Sequence, residues 1–575
     1  MEVCDFIVTL NRLKKSSSEA IDNINEFDNF KEYMHVERNV ESDLKDVLRR
    51  VNKYKKKTLV MLCGSAGDGK SHLMSYLKHS DSEKLMEDYK VYNDATEVWS
   101  QDKNTNETLD IILDSFSDEK LGLPGENIIL AINLGVLSNF VESPYGKSRF
   151  HRLKDYVEER GILDSKVNES QVDEASQFQY VSFADYQLYS LDEHGVSPDF
   201  IESLLDKIFA EDEENVFYKK YKKKSLECTI AAKCPVKNNF EFFLDKKNRK
   251  YIAHLLVKGI LKDKEIITTR EILNYIYDIL ISPDFSYEKF CNYTDTYSYL
   301  KDYIRSTTPM LMFDNEDVTP LMNQLHKYDP LLERSEHADN LAVHYNVSSK
   351  VEEEVEQYLK NASYNKILAN EKYIENIVSD RELKLQFFKL LVRTKAITEY
   401  EEKDETYKFF LRDLYYYNAG KKNKLQDLYN MVQCAVINWC GSGPEKYICL
   451  DDKQPGLSIY ENLEFEADLG NLPKQSDGTK LQKFIPNIII GFINSKTNER
   501  IELGIDYSLY ELIMKLKKGY IQTADDRNSH ADFISFIEKI LKAGSLDKRI
   551  LVVLEDGMKA TVEKNSFGYK FKVVS

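Results

Sequence analysis

The sequence predicts an α/β core with a parallel sheet and flanking helices, followed by helical regions and a C-terminal α+β domain. Three observations predict this class. An apolar run from Leu59 to Cys63 ends in a glycine-rich loop, apolar runs then alternate with helical patterns as far as Asp185, and short strands and helices mix after Gly441. Strands that alternate with helices are typical of parallel sheets covered on both faces.

Composition limits the class of protein. The 575 residues are 42% hydrophobic and 30% charged, as in a globular protein of several domains. With no long apolar run, no N-terminal signal pattern and 8 scattered cysteines, we expect a cytoplasmic protein without a membrane span. The net charge of −17 argues against a protein that coats nucleic acid along its whole surface and leaves a local basic groove open.

The glycine-rich loop fits the pattern G-x-x-x-x-G-K-[ST], which is typical of a P-loop NTPase core. Its glycines let successive N–H groups point at one anion, and the helix that follows adds its positive dipole end. Lys70 would reach the β- and γ-phosphates of ATP, and the Ser71 hydroxyl would bind Mg²⁺. The predicted nucleotide-binding residues are Gly64, Ser65, Ala66, Gly67, Asp68, Gly69, Lys70, Ser71 and His72.

Three further strands are predicted in the core. Ligands of such sheets lie beyond the carboxyl ends of the strands, so residues that follow the strands are expected near the nucleotide. These residues are Asp94, Glu97, Asn133 and Asp185. The predicted strands are Tyr89 to Tyr92, Asn127 to Ile132 and Gln179 to Phe183.

The strongest apolar strand ends in the neutral Asn133, where a hydrolase usually carries a carboxylate. Two interpretations remain open. Asn133 senses the γ-phosphate while Asp94 or Glu97 supplies the acid, or Asn133 occupies the position of the acid and hydrolysis is weak. A turn residue at the strand end is the simpler explanation of Asp94.

The stretch from Ile266 to Leu280 is predicted to form a helix, and Thr268 or Thr269 can cap its start. Arg270 lies in the first turn, where the helix dipole disfavours a cation. Arg270 is therefore a candidate to reach the γ-phosphate from a helical lid. The alternative is a surface residue or a structural ion pair. Arg149 and Arg152 are candidates for an arginine acting on a neighbouring subunit, by location only.

The rest of the chain divides by pattern. We expect an N-terminal helical segment at 1–50, the P-loop ATPase core at 51–260, a helical lid-like region at 261–345, a helical domain at 346–445 and an α+β domain at 446–575. Expected helices include 20–30, 40–51, 351–368 and 381–391, and expected strands include 447–450, 457–465 and 485–493. A hairpin is expected from Arg549 to Glu563 on an Asp-Gly turn.

Other chemistries find little support. No cluster of carboxylates with a lysine on neighbouring strands indicates a nuclease, and no cysteine pair has the spacing of a zinc site. Lysine clusters at 53–57, 219–224, 246–250 and 421–424 are candidate DNA contacts, although lysine runs are more often solvated surface.

Several separated stretches resemble one family, the F component of the bacterial DNA phosphorothioation-dependent restriction system (DptF). The resemblance extends from about residue 60 to residue 520, and the loop alone would identify only the superfamily. The stretches are Gly64 to Leu73, Asn93 to Glu97, Ala131 to Gly135 with Asn139-Phe140, Cys234-Pro235 with Asn238 to Phe240, Thr269 to Leu273, Asp329-Pro330 with Arg334, Tyr417-Asn418-x-Gly420, Trp439-x-Gly441, and Leu509 to Leu512 with Gly519-Tyr520.

The resemblance implies the ATPase subunit of an antiviral defence complex that attacks DNA lacking a sulfur mark. Its partners would be the other subunits and double-stranded DNA bound through the assembled complex, and homo-oligomerisation is left open. The expected function is an ATP-binding and hydrolysing subunit that couples nucleotide state to DNA engagement and is not itself a nuclease. A nucleotide-gated scaffold with little hydrolysis is the alternative, and a small-molecule kinase is a weaker one.

Overall fold

The computed structural model describes residues 4–19, 29–54, 56–93, 104–163, 172–315, 318–347, 351–441, 447–454, 456–462, 465–470, 472–473, 478–494, 499–544, 549–554, 557–565 and 568–574. The chain forms two compact units. Unit 1 comprises Met1–Tyr189, Pro198–Ile260 and Glu265–Glu402, and unit 2 comprises Ser190–Ser197, Leu261–Lys264 and Lys403–Ser575. The division into five regions remains a prediction.

Unit 1 contains the predicted parallel sheet. Among the described residues its strands lie in the order β2–β3–β1–β4, all parallel. They are β1 (Leu59–Gly64), β2 (Tyr89–Tyr92), β3 (Asn127–Asn133) and β4 (Phe178–Ser182). Every residue of β1 is buried, because apolar layers cover both faces of the sheet. Leu59 and Met61 enter one layer, whereas Val60 and Leu62 enter the other.

Helices flank this sheet and form the rest of unit 1, which confirms the predicted α/β class of the core. They are α1 (Asp5–Glu19), α2 (Asn29–Tyr33), α3 (Asn39–Val51), α4 (Lys70–Ser80), α5 (Thr105–Ile112), α6 (Leu134–Glu142), α7 (Pro144–Arg149), α8 (His151–Glu159), α9 (Asp199–Phe209), α10 (Val216–Glu227), α11 (Pro235–Phe242), α12 (Lys246–Asp263), α13 (Thr269–Leu280), α14 (Tyr287–Cys291), α15 (Thr296–Arg305), α16 (Thr308–Asp314), α17 (Pro320–His326), α18 (Glu336–Val347), α19 (Val351–Leu359), α20 (Asn365–Leu368), α21 (Glu371–Ser379) and α22 (Arg381–Thr398).

The N-terminal helices pack on the core of unit 1. Helix α1 lies against α10 and α13, and α3 lies against β4. The predicted helix at 40–51 is confirmed as α3, whereas most of the one at 20–30 falls outside the described residues. This packing brings the N-terminal segment close to the ends of the sheet strands.

Two helical predictions need correction. The helix expected at 351–368 is interrupted between α19 and α20, because Tyr364 turns into the core and its hydroxyl donates to Asn239 Oδ1 at 2.9 Å. The helix expected at 381–391 continues to Thr398 as α22. Its additional turns carry Arg393, a buried cation.

Arg393 is 1% exposed and joins three elements of unit 1. Its guanidinium donates to both carboxylate oxygens of Asp329, at 3.0 and 2.6 Å, and to Asp314 Oδ1 at 2.7 Å. A paired, bidentate arginine can be buried in this way, whereas a single buried charge without its partner is costly. The network fixes the turn at Asp329-Pro330 against α16 and α22.

Unit 2 contains antiparallel sheets and helices. Its strands are β5 (Ser190–Asp192), β6 (Gly195–Ser197), β7 (Tyr447–Gln454), β8 (Leu457–Asn462), β9 (Phe465–Asp468), β10 (Ile488–Asn494), β11 (Arg500–Ile505), β12 (Arg549–Leu554), β13 (Lys559–Asn565) and β14 (Gly568–Val574). Its helices are α23 (Glu405–Asn418), α24 (Gln426–Trp439), α25 (Tyr507–Lys517), α26 (Ala524–Ser529) and α27 (Ala531–Gly544). The mixture confirms a C-terminal α+β region.

Within the described part of unit 2 the strands form the sheets β11–β10–β9 and β14–β13–β12–β8–β7 and the hairpin β5–β6. The hairpin expected from Arg549 to Glu563 is confirmed as β12 and β13. The single strand expected at 457–465 is wrong, because β8 and β9 belong to different sheets. The sequence analysis also missed β11, β14 and the β5–β6 hairpin. Over the described residues, no helix is long and apolar enough to cross a bilayer.

The Arg393 network supports a stability prediction. We expect Arg393→Met to lower the free energy of unfolding by about 3–5 kcal/mol, because it leaves the buried Asp329 carboxylate without its cation. Urea unfolding followed by circular dichroism measures the change. The matched control is Arg334→Met, at a side chain that is 93% exposed, and it should change stability by less than about 0.5 kcal/mol. Equal effects of the two variants would contradict the prediction.

Candidate functional site

A cavity of about 270 Å³ lies in unit 1 at the glycine-rich loop. This volume is close to the lower end of the range of about 300–1,000 Å³ for small-molecule sites. The loop, the N-terminal segment, the start of α13, two strand ends and α9 all contribute to the wall. The residues that line the cavity include Phe30, Met34, His35, Val36, Arg38, Glu41, Ala66 to His72, Asn93, Asn133, Phe200, Leu204, Thr269, Arg270 and Leu273.

Two glycines give the loop its path. Gly67 and Gly69 have φ angles of +88° and +101°, a region that other residues rarely adopt. Gly67 also lies against α13, because a Cβ built on it would be 3.0 Å from Thr268 Oγ1 and 3.4 Å from Arg270 Cβ. A larger side chain at this position would push the loop and α13 apart.

Helix α4 begins directly after the loop. Its N-cap is Gly69, which has no side chain to accept from the N–H groups of the first turn. The helix spans 11 residues, so its dipole adds positive potential at this end. An uncapped helix start that lines a cavity is suited to a phosphate or another anion.

Lys70 is folded against the loop and the sheet. Its Nζ donates to Gly64 O at 3.1 Å, to Ser65 O at 2.6 Å and to Asn133 Oδ1 at 2.9 Å. Asn133 reaches this position because β1 and β3 pair in parallel with Gly64 opposite Asn133. The predicted proximity of Asn133 to the loop is therefore observed, while its role remains a prediction.

Arg270 lies in the first turn of α13, as expected, and lines the cavity. Thr268 and Glu271 form a capping box, in which Thr268 N donates to Glu271 Oε2 at 2.7 Å. Among the described residues, Arg270 forms no hydrogen bond or ion pair, so no structural ion pair is found for it in this part of the chain. Its role at the γ-phosphate remains a prediction.

The sequence analysis missed the apolar side of the cavity. Phe30, Met34 and Val36 of the N-terminal segment lie there with side chains of α9 and α13. Such an apolar surface beside the glycine-rich loop suits the apolar part of a small-molecule ligand. The only sequence signal was a group of apolar residues just before α3 in an otherwise polar stretch.

Arg38 was also missed. Its Nη1 donates to Asp68 O at 3.2 Å, and its guanidinium lies 5.0 and 4.9 Å from the ring centres of Phe183 and Phe200. Burial lowers the pKa of Arg38 to about 10, so the side chain keeps its charge at neutral pH. Arg38 thus binds the loop at Asp68 while its guanidinium makes cation–π contacts with two aromatic rings.

Two histidines connect the loop to the N-terminal segment. His35 Nδ1 lies 3.2 Å from His72 Nε2, and His35 Nε2 lies 3.0 Å from Glu41 Oε2. Burial, together with the neighbouring His35 and Lys31, lowers the pKa of His72 to about 4, so His72 is neutral near pH 7. Burial alone raises the pKa of Glu41, but hydrogen bonds from His35 and Lys45 hold it below its usual range.

The other predicted site residues have different outcomes. Asp94 and Glu97 lie outside the described residues, and Asn93, immediately before them, lines the cavity. Asp185 is buried in a 3-10 turn after β4 and is not part of the cavity wall, because β4 already ends at Ser182. Arg149 is bonded to Asp110 and Asp114 within unit 1, which explains it as a structural residue.

Most lysines of the cluster at 219–224 are ion-paired. In α10, four lysines lie within 4 Å of carboxylates in unit 1, which favours solvated surface over a DNA contact. These lysines are Lys220, Lys222, Lys223 and Lys224. In the parts of the chain that are described, no group of three or more His, Cys, Asp or Glu side chains could hold a metal ion.

Comparisons of the chain with models of known protein families, with curated proteins and with solved structures found no match. A function can therefore be inferred from the geometry of the cavity and from the sequence motifs.

The pKa of His72 leads to a pH prediction. The folded state holds the pKa near 4, below the value of about 6.5 in an unfolded chain. As the pH falls from about 6.5 towards 4, the unfolded chain binds a proton that the folded chain does not. The free energy of unfolding therefore decreases, by up to about 1.4 kcal/mol per pH unit. We expect His72→Gln to flatten the fall in unfolding free energy over this range.

Urea unfolding at several pH values between about 4.5 and 7.5 measures this slope for each variant. The control is His79→Gln, at the exposed end of the same helix, and it should keep the wild-type slope. An unchanged slope in His72→Gln would show that this histidine titrates alike in both states.

Proposed function

We propose that the cavity binds ATP with Mg²⁺. The observation that carries this proposal is the arrangement of the uncapped start of α4, Lys70 and Arg270 around one cavity with an apolar side. A triphosphate needs fixed donors and cations, and a nucleobase needs an apolar surface. The fit of Gly64 to Ser71 to the phosphate-loop pattern supports the same ligand.

Each residue has a proposed role. N–H groups of Ala66 to His72 and Lys70 Nζ would hold the β- and γ-phosphates, and the Ser71 hydroxyl would hold Mg²⁺. Mg²⁺ would neutralise charge that develops on the phosphates. Asn133 and Arg270 would sense the γ-phosphate, and Asp94 or Glu97 would orient the attacking water. Arg270, with no counter-ion among the described residues, is free to turn to the ligand.

The broader role is also a proposal. The family resemblance supports an ATPase subunit of a phosphorothioation-dependent restriction complex, in which nucleotide state controls engagement of DNA with partner subunits. The net charge of −17 and the ion-paired lysines of α10 favour DNA contact through the assembled complex rather than through this chain alone. No disulfide joins the described cysteines, which supports a cytoplasmic location.

A second candidate is a nucleotide-gated scaffold with little hydrolysis. The hydrogen bond from Lys70 Nζ to Asn133 Oδ1 favours it, because a neutral amide ends the strand beside the loop. The described carboxylates on the cavity wall, Glu41 and Asp68, already accept hydrogen bonds from His35, Lys45 and Ser65 N. In this scheme, ATP binding alone would change the contacts with partners.

Lys70 provides the first test of ATP turnover. We expect Lys70→Ala to lower turnover at least about 100-fold, because the variant lacks a cation at the γ-phosphate. Turnover is measured with and without duplex DNA and partner-containing extract. The control is Lys78→Ala on the exposed end of α4, which should turn over ATP as the wild type does. ATP binding that depends on Lys70, without turnover under any condition, would favour the scaffold.

Asn133 separates the two candidates directly. If Asn133 senses the γ-phosphate, we expect Asn133→Asp to lower turnover about tenfold or more, because its charge would repel the phosphate and hold Lys70. If Asn133 occupies the position of a missing acid, the same variant should raise turnover. Steady-state phosphate release by equal amounts of ATP-bound protein measures the difference, and a rise would overturn the sensor role.

A further inference from the structure

Strand β14 is the edge of the larger sheet of unit 2, and one of its faces is apolar and exposed. Tyr569, Phe571 and Val573 alternate along it and are 65%, 72% and 73% exposed. An edge strand also presents unpaired N–H and C=O groups. Exposed large apolar side chains in such a row are unusual on a surface that has no partner.

The apolar surface continues onto the neighbouring strands. Phe571 is opposite Val562, which is opposite Ile550, and residues directly opposite each other point to the same face. Val573, Ala560 and Val552 form a second such row. These inner residues are only partly buried, so the face extends over three strands.

The other side of β14 is basic. Lys570 and Lys572 alternate with the apolar residues and are both exposed, and the residues opposite them on β13 are Glu563 and Thr561. An added strand would therefore meet apolar side chains on one face and ammonium groups on the other.

A second copy of this chain is a poor occupant. In an antiparallel pair of β14 strands from two copies, the apolar residues of both strands lie on the same face of the sheet only if odd-numbered residues pair with odd-numbered residues. In every such register that pairs at least five residues of Gly568–Val574, a lysine stands opposite a lysine. Like charges directly opposite each other destabilise a sheet.

We propose that β14 is a docking edge for an extended segment of another protein that alternates apolar and acidic residues. Backbone hydrogen bonds extend the sheet, the apolar residues cover Phe571 and Val573, and the acidic residues pair with Lys570 and Lys572. This proposal does not depend on the nucleotide site.

Synthetic peptides test the charge and the pattern together. The probe is a labelled peptide of about seven alternating valine and glutamate residues, and its control has lysine in place of glutamate. Fluorescence anisotropy with the full chain should show saturable binding of the glutamate peptide only. No binding up to about 1 mM, or equal binding of both peptides, would overturn the proposal.

Variants locate the binding. Phe571→Thr should weaken binding of the glutamate peptide at least about tenfold, and Lys570→Glu with Lys572→Glu should transfer the preference to the lysine peptide. The control is Ile521→Thr. Ile521 is another apolar residue of unit 2 and is 82% exposed, and this variant should bind the glutamate peptide as the wild type does. Unchanged ATP binding and melting temperature would show that the variants fold. A dimer of the wild-type chain that Phe571→Thr dissolves would instead assign this edge to a second copy.

Discussion

The parallel pairing of β1 with β3 is the constraint on which the candidate site depends. It places Gly64 opposite Asn133, so the loop after one strand meets the polar end of the next. Lys70 then connects them, because one ammonium group donates to two loop carbonyls and to Asn133. A buried ammonium needs such acceptors, and a ligand anion would compete with them for the same cation. Lys70 therefore holds the loop in this conformation, and under the proposed function a phosphate would take over its ammonium group.

Two distant segments complete the wall around that resting loop. The start of α13 approaches Gly67 closely, and Arg38 and His35 of the N-terminal segment hold the loop and α4 from the other side. The cations Lys70, Arg38 and Arg270 thus gather at one cavity of a chain with a net charge of −17. A local positive field in an acidic protein can attract an anionic ligand while the remaining surface repels nucleic acid.

Sequence reasoning succeeded where a local pattern carries the structure. The apolar run of β1, the loop and the first turn of α4 are contiguous, and parallel alternation then places Asn133 and Asn93 at the same end of the sheet. It failed for Arg38, His35 and the apolar wall, because their positions depend on tertiary packing of helices that are distant in sequence. Asp185 shows a different limit. The end of β4 was predicted one residue too late, and Asp185, which was expected near the ligand, is a buried residue of the turn after β4. Strand β14 was missed although its apolar residues alternate with lysine, which is the pattern that predicts a strand.

The chain passes between the two units five times, at residues 189/190, 197/198, 260/261, 264/265 and 402/403. Helix α12 runs through one of these junctions, and the β5–β6 hairpin bonds to Leu481 of its own unit, far along the chain. A protease cut at any internal site of unit 1 between residues 198 and 402 would therefore leave each fragment with parts of both units. Limited proteolysis should produce nicked protein that stays associated rather than separate domains. Ending the chain at residue 402 would leave the hairpin without helix α23, against which it packs.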